Sequence, residues 1–530
     1  MTHPIRVLLG ATAIAAVLAA GAPAALAQSS GKTLKFIPQA DLRILDPIFT
    51  TAYITRNHGY MVYDTLLAVD AQFNIKPQMA DSWTVSADKL TYTFTLRDGL
   101  KFHDGQAVRP ADVIASIKRW GARDVIGQTL IERTASMEAI DAKSFKIVLK
   151  QTFALTLEAL AKPSSNTPFI MPERIANTSP NEQIKDATGS GPFKFVANEW
   201  VPGNKVVYVK NTDYVPRKEP PSWASGGKVA KVDRVEWLYI PDTATAAAAI
   251  DKGEVDWWEQ VPVDLVPLLN KNKDIKVENI DPLGSLGIIR FNHTLPPFDN
   301  VKMRQALLHV VDQNDYMLAI AGDAKNGKVC ASYFTCGTPM ASDVDTQIIL
   351  GKRDMDKAKA LIREAGYKGE KIIILSATDQ PIVHAQGLLT AELLRKLGLN
   401  VELAASDWGT LITRRSSKET LDKGGWSIFH TWWVGPDLAS PAQNAALRGN
   451  GGAAWFGWPT DPEMEKMRGA WFDAPDIEAQ KKIAADMQKR AYQTVPYIPT
   501  AQFILPTAFR KNIEGIIVAP VAFLWNIEKK

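Results

Sequence analysis

Apolar and polar residues alternate at period two over residues 33–37 and, without a break, over 90–96, which reads Leu-Thr-Tyr-Thr-Phe-Thr-Leu. Both segments are predicted strands. Arg97-Asp98-Gly99 closes the second with a turn signal and Lys101-Phe102-His103-Asp104-Gly105 brings another, so two paired strands are expected there. After Pro110 the period lengthens: Val113, Ile114, Ile117 and Trp120 fall at helical spacing, with Pro110 suited to the helix start. Further strands are predicted over 144–150, 193–196, 205–210 and 232–240, and an Ala-rich helix over 243–252. From Asn300 onward amphipathic helices over 301–311, 354–365 and 386–397 alternate with strands over 371–376 and 400–404. This alternation predicts an α/β fold.

The amino end follows a different pattern. Arg6 precedes an uncharged run over residues 7–20, and Ala25-Leu26-Ala27 supplies a small-x-small site. Residues 1–27 are therefore expected to be a secretory signal peptide cleaved after Ala27, too short and too broken by Gly21 and Pro23 for a membrane span. Gln28 follows, with no nearby cysteine to carry a lipid, so a protein free in a Gram-negative periplasm is expected. Removing residues 1–27 takes one Arg and no acid, which lowers the charge excess from +4 to +3. That balance argues against nucleic acid or an anionic membrane as partner. Some 500 mature residues exceed what one hydrophobic core organises, so two or more domains are expected.

Cys330 and Cys336 are the only cysteines; in an oxidising compartment a short-loop disulfide is expected, and no close His or carboxylate makes them a metal site. The seven histidines are dispersed, so neither a metal nor a cofactor is expected. The segment Gly322-Asp323-Ala324-Lys325-Asn326-Gly327-Lys328-Val329 fits a phosphate-binding loop except that Val329 lacks the hydroxyl needed for magnesium, and it is read as a chance match. No Gly-x-Ser-x-Gly or His-Glu-x-x-His occurs, and no enzyme is expected.

A set of short segments follows in one order: Leu45-Asp46-Pro47, Tyr63-Asp64-Thr65-Leu66, residues 77–83, residues 92–105, Gly189-Ser190-Gly191-Pro192-Phe193, Gly253-Glu254-Val255-Asp256, and Phe291-Asn292 with residues 297–306. In that order the chain resembles the family 5 extracytoplasmic solute-binding proteins, which include dipeptide-, oligopeptide- and nickel-binding receptors of ABC importers. The resemblance implies a two-lobed periplasmic-binding-protein fold with two interlobe crossings. Lobe one would hold 28–290 with an extra subdomain near 55–185, lobe two 291–495, and 496–530 would return to complete lobe one. The crossings are expected at Ile289-Arg290-Phe291-Asn292 and Tyr497-Ile498-Pro499-Thr500. The expected function is that of a monomeric receptor that captures a peptide or peptide-like solute between the lobes and delivers it to an ABC permease in the inner membrane.

The richest candidate site combines Trp426, Phe429, His430, Trp432, Trp433 and Asp437 within twelve positions, before a Gly435-Pro436 loop. Aromatic rings offer flat walls and polar edges to a ligand, or they pack a core. Trp432 and Trp433 would face opposite ways on a strand, one toward core and one toward cleft. The resemblance implies that Asp437 pairs with a ligand ammonium, although Ser440 stands where many relatives carry an acid, and a loop-capping role competes. By the same resemblance, Thr50, Thr51 and Tyr53 face the cleft; Trp408, near Arg414 and Arg415, is a candidate aromatic wall. Arg414 and Arg415 are read as a solvated helix face rather than a carboxylate partner. The loop Gly449-Asn450-Gly451-Gly452 with Trp455-Phe456-Gly457-Trp458 is either a cleft rim or a surface loop. Alternatives to a peptide are a sugar, opine, nickel chelate or amine in the same receptor role, and, from another class, a secreted hydrolase.

Overall fold

The computed structural model describes residues 32–322 and 325–530. The expected signal peptide and its cleavage site lie outside the described residues, as do Asp323 and Ala324 of the glycine-containing loop.

The period-two segments form strands Thr33–Ile37, Thr91–Leu96 and Ser144–Leu149. The helical pattern after Pro110 forms Pro110–Gly121, with the proline in the first turn, where a missing N–H costs nothing. The Ala-rich helix is Thr243–Lys252, capped by the Asp242 carboxylate and ended by Gly253 in the left-handed region. One pairing differs from expectation. No strand forms across the Arg97-Asp98-Gly99 turn; Thr91–Leu96 instead pairs with Ala80–Val85 on one side and Ser144–Leu149 on the other. Apolar side chains alternating on Thr91–Leu96 and Ser144–Leu149 bury one shared face, which a lone hairpin could not do.

Two large sheets carry the rest. A seven-stranded sheet runs Phe193–Phe195, Lys205–Lys210, Arg234–Leu238, Thr33–Ile37, Trp257–Trp258, Thr507–Arg510, Ile275–Glu278. A six-stranded sheet runs Gly327–Lys328, Tyr497–Phe503, Ser285–Phe291, Ile428–Val434, Ile372–Ala377, Val401–Ser406. The chain passes from the first sheet to the second over residues 279–284 and returns over 504–506. The crossings expected at residues 289–292 and 497–500 are therefore corrected: nearly all of those residues lie inside two antiparallel neighbours of the six-stranded sheet. Their apolar character reflects burial on both faces of a sheet. The true crossings run side by side. Gly284 takes a φ of +67°, and a Cβ there would come within 2.4 Å of the Phe503 carbonyl oxygen.

Buried charge explains several of the ordered segments. Asp46 accepts a two-pronged pair from Arg119 at 3.0 and 2.6 Å and also takes the backbone N–H groups of Ile48 and Ile184. Asp64 meets Lys228 at 2.7 Å with both side chains fully buried. Gly189 passes so close to Val62 that a Cβ would lie 1.9 Å from its carbonyl oxygen. Cys330 and Cys336 are bonded, with Cα atoms 5.9 Å apart. Among the described residues no helix is long and apolar enough to cross a membrane.

Two outcomes follow from this burial. Asp46→Ala strands the Arg119 guanidinium without its counter-charge, and a loss of about 3–5 kcal/mol in urea unfolding is expected. A second test concerns acid. His58 and His430 are fully buried, and burial pushes both imidazoles down to about 3 from 6.5. The unfolded chain thus binds more protons than the folded one below pH 6.5, so stability held above that value is lost as pH falls toward 3. The urea midpoint is expected to drop between pH 7.5 and pH 5, and less so in His430→Gln; a flat profile would contradict the buried neutral imidazoles.

Candidate functional site

The strand Ile428–Val434 lies inside the six-stranded sheet and is buried along its whole length. Alternation turns Trp432 toward Phe503, with ring centroids 6.5 Å apart, and Trp433 toward Trp455 at 5.0 Å. Both nevertheless border the same narrow cavity, because Tyr53 wedges in from the other side of the interface. Its ring lies 5.0 Å from Trp432 and 6.4 Å from Trp433.

Tyr53 opens the helix Tyr53–Val62, which is buried throughout. Its hydroxyl donates to Asp437 Oδ2 at 2.7 Å and accepts the Val434 N–H at 2.8 Å. Ser164 donates to the same Asp437 oxygen at 3.0 Å, Arg56 donates to Ser164 Oγ at 2.7 Å, and the Arg56 guanidinium lies 4.3 Å over the Tyr53 ring. Asp437 is only 2% exposed. Burial raises its carboxyl above the usual range, while the Lys162 charge and the Tyr53 hydroxyl pull it back down.

Three cavities lie in a row along this interface. One of about 60 Å³ is bordered by Arg56, Glu259, Asp281 and Trp432. It shares Gln39, Tyr53 and Trp432 with a cavity of about 20 Å³, which is also bordered by Thr51, Trp408, Arg415, Trp433 and Trp455. Thr51 and Trp455 in turn border the third, about 550 Å³, within the range of small-molecule pockets. Burial lifts the Glu259 and Asp281 carboxyls, the latter to about 6. The row therefore begins beside acids. It ends at Arg123, Lys162, Lys418 and Arg448 with one bordering carboxylate, Asp124.

The structure thus brings Thr51, Tyr53, Trp408, Trp432 and Trp433 to one place, with Asp437 behind the Tyr53 hydroxyl. Thr50 sits just off the cavities, its hydroxyl accepting from the Ala52 N–H and its carbonyl from Asn166. His430 lies apart from them: its Nε2 meets the Thr390 hydroxyl at 2.7 Å, which in turn meets Tyr316. Period-two alternation puts it on the Trp432 face of the strand, but nearer the centre of the sheet, under the helix Pro381–Lys396. The glycine-and-tryptophan loop borders the largest cavity through Trp455, Phe456 and Trp458.

Arg415 corrects the reading of the paired arginines. Arg414 does reach outward, to the carbonyls of Gly424 and Gly425. Arg415 instead turns inward at 2% exposure, its guanidinium 4.8–5.8 Å from the ring centres of Phe456, Trp408, Phe429 and Trp455. Burial pushes it down to about 9, still cationic at neutral pH. Successive helical residues point about 100° apart, which separates the two side chains. Nothing in local charge patterning distinguishes the inward one.

Contacts across the interface close the site. Trp455 Nε1 donates to Thr51 Oγ1 at 3.2 Å, Arg448 and Arg468 both donate to the Val125 carbonyl, and Arg133 pairs with Asp473 at 2.9 Å. Tyr53→Phe would leave Asp437 and the Val434 N–H each short of a buried partner. A loss of about 1–3 kcal/mol in urea unfolding is expected, and an unchanged midpoint would mean that neither group depends on the hydroxyl.

A curated relative, the probable peptide ABC transporter periplasmic-binding protein y4tO of Sinorhizobium fredii, is 40% identical over 95% of this chain and 94% of its own length. The glutathione-binding protein GsiB of Salmonella paratyphi A is 26% identical over 96% of both chains. Among solved structures, the periplasmic binding protein AgaA of A. tumefaciens R10 in complex with agropinic acid superimposes with a TM-score of 0.77 at 22% identity, covering 94% of this chain and 99% of its own, and shows the shared fold. The family model for bacterial extracellular solute-binding proteins, family 5, matches residues 74–455, and the chain belongs to that family.

Proposed function

We propose that this chain is the periplasmic receptor of an ABC importer, without enzymatic activity, and that it captures a peptide or peptide-like solute between two lobes. The lobes are the bodies built on the seven- and six-stranded sheets, hinged at residues 279–284 and 504–506. The observation that carries the reading is the row of cavities enclosed from both sides, with Thr51 and Tyr53 from one lobe and Trp408, Trp432 and Trp433 from the other. Aromatic walls with a few polar groups suit a solute that has an apolar body and a hydrogen-bonding backbone. The naming of the 40%-identical relative as a probable peptide transporter component supports the ligand class. Hinge closure over the solute gives a permease a shape to read. Export by cleavage near Ala27, with no lipid anchor, and a monomeric state belong to the same proposal.

A non-peptide solute of opine type is the second reading. It is favoured by Asp437, whose Oδ2 is already engaged by the Tyr53 and Ser164 hydroxyls rather than open to an ammonium. Calorimetry of the mature protein with di- to pentapeptides separates the two. Saturable binding, with a change in tryptophan fluorescence that Trp432→Ala diminishes, is expected. Failure of every peptide alongside binding of an opine would replace the first reading with the second.

A further inference from the structure

The row of cavities begins at the crossings: Asp281 and Gly284 of one, with Leu505 of the other, border its first cavity. Its last cavity, of about 550 Å³, is bordered by Val125 and Gln128 on one side and Arg448 on the other. Those three residues belong to a contact that neither large sheet makes. Val125 and Gln128 lie on the helix Val125–Arg133, which runs directly into Thr134–Ala139, a strand of a separate four-stranded sheet.

One face of this helix meets the body of the six-stranded sheet. Residues 125, 128, 129 and 133 recur at helical spacing, and each takes part. The Val125 carbonyl accepts from Arg468 at 2.8 Å and from Arg448 at 3.3 Å, and Gln128 Oε1 accepts from Arg448 at 3.0 Å. Thr129 Oγ1 accepts from Arg468 at 3.1 Å, and Arg133 pairs with Asp473 at 2.9 Å. Arg468 is 6% exposed, and no ion pair reaches it among the described residues. Its guanidinium is met by the Pro441 carbonyl of its own body and by Val125 and Thr129 of the other. Separating the bodies removes two of its three acceptors.

Cavities flank the contact on both sides. One of about 410 Å³, bordered by Thr129, Arg133, Arg468 and Phe472, shares Gln128 and Arg448 with the 550 Å³ cavity. Hydrogen bonds that water can replace suit a contact that opens. The helix itself is firmly held. Asp124 caps it, accepting the Ile126 and Gly127 N–H groups at 2.9 and 3.0 Å. A Cβ on Gly127 would come within 2.9 Å of Gly121 Cα, so the helix packs backbone to backbone on Pro110–Gly121. Arg119 of that second helix pairs with Asp46, in the segment that follows the strand Thr33–Ile37 of the seven-stranded sheet. Val125–Arg133 thus belongs with the seven-stranded body, at the end of the row opposite the crossings.

We infer that the helix Val125–Arg133 is the catch of the closed form, and that its contact with Arg468 and Asp473 sets how long a solute is held. Neither residue borders the three cavities of the row, so both are positioning residues that act on affinity without touching the solute. This rests on the receptor reading above. A contact made only in the closed form shifts the equilibrium toward that form by its own free energy, whatever solute is enclosed.

Spin labels at Ile140→Cys and Ile477→Cys, both exposed positions, read the gap between the four-stranded and six-stranded bodies in the mature protein. A short and a long distance are expected, with Ala-Ala-Ala as probe solute raising the short one. Asp473→Lys is expected to lower the short-to-long ratio roughly 5-fold and to speed Ala-Ala-Ala release by a similar factor, with the urea midpoint unchanged. Asp473→Glu is expected to keep the wild-type ratio, and Arg133→Glu combined with Asp473→Lys to restore it. Thr129→Val removes an acceptor of Arg468 without altering charge and is expected to lower the ratio as well. The inference is overturned if the wild type shows the long distance alone, if either Asp473→Lys or Thr129→Val leaves the ratio unchanged, or if the ratio falls only together with the urea midpoint. A charge-swapped pair that folds and stays as open as Asp473→Lys overturns it too. If Ala-Ala-Ala does not bind, the peptide reading loses its support there, and the ratio without solute still decides the catch.

Discussion

Two short passages of chain, residues 279–284 and 504–506, hold the two sheets against each other, and every contact across the interface depends on where they set them. Gly284 of the first passage lies against Phe503 and Ile504, where the second begins, and the Gly284 carbonyl accepts the Gly435 N–H at 2.7 Å. That bond ties the crossing to the turn that carries Asp437.

Across the interface, charge is distributed unevenly. Some buried ions are matched, Asp46 with Arg119 and Asp64 with Lys228, whereas the buried Arg290 guanidinium is met by main-chain carbonyls. Along the row of cavities Lys162 pairs with Asp124 and Arg448 with Glu465, while no ion pair reaches Arg415 among the described residues. Glu259 and Asp281 border one end of the row, and Arg123, Lys162 and Arg448 border the other. A guanidinium buried among aromatic rings without a counter-charge costs free energy. The wall of tryptophans keeps the local dielectric low and makes the missing charge matter more.

The ordered segments that carried the family resemblance turn out to be structural. Asp46 and Asp64 are ion-paired in the core and Gly189 permits a close backbone approach, none of them on the cavities. Such residues are legible in sequence because a buried charge or a forbidden Cβ tolerates few replacements. Tyr53, Trp408, Trp432 and Trp433 could be named as candidates from the sequence, and the structure brings them to one cavity. Arg415 and Ser164 could not be so named, because their roles arise from neighbours far along the chain.

The sequence by itself determined the elements, the α/β class, the family and the cysteine pair that the fold closes, because periodicity, capping and turn residues act over a few positions. It misplaced the crossings, since an apolar run reads the same in a linker as in a strand buried on both faces. Only the tertiary structure decided which of two adjacent arginines turns inward, why two tryptophans on opposite faces meet one cavity, and that His430 belongs to the core. Those are decisions of packing between segments hundreds of residues apart, where burial and the presence or absence of a counter-charge, rather than local pattern, select the arrangement.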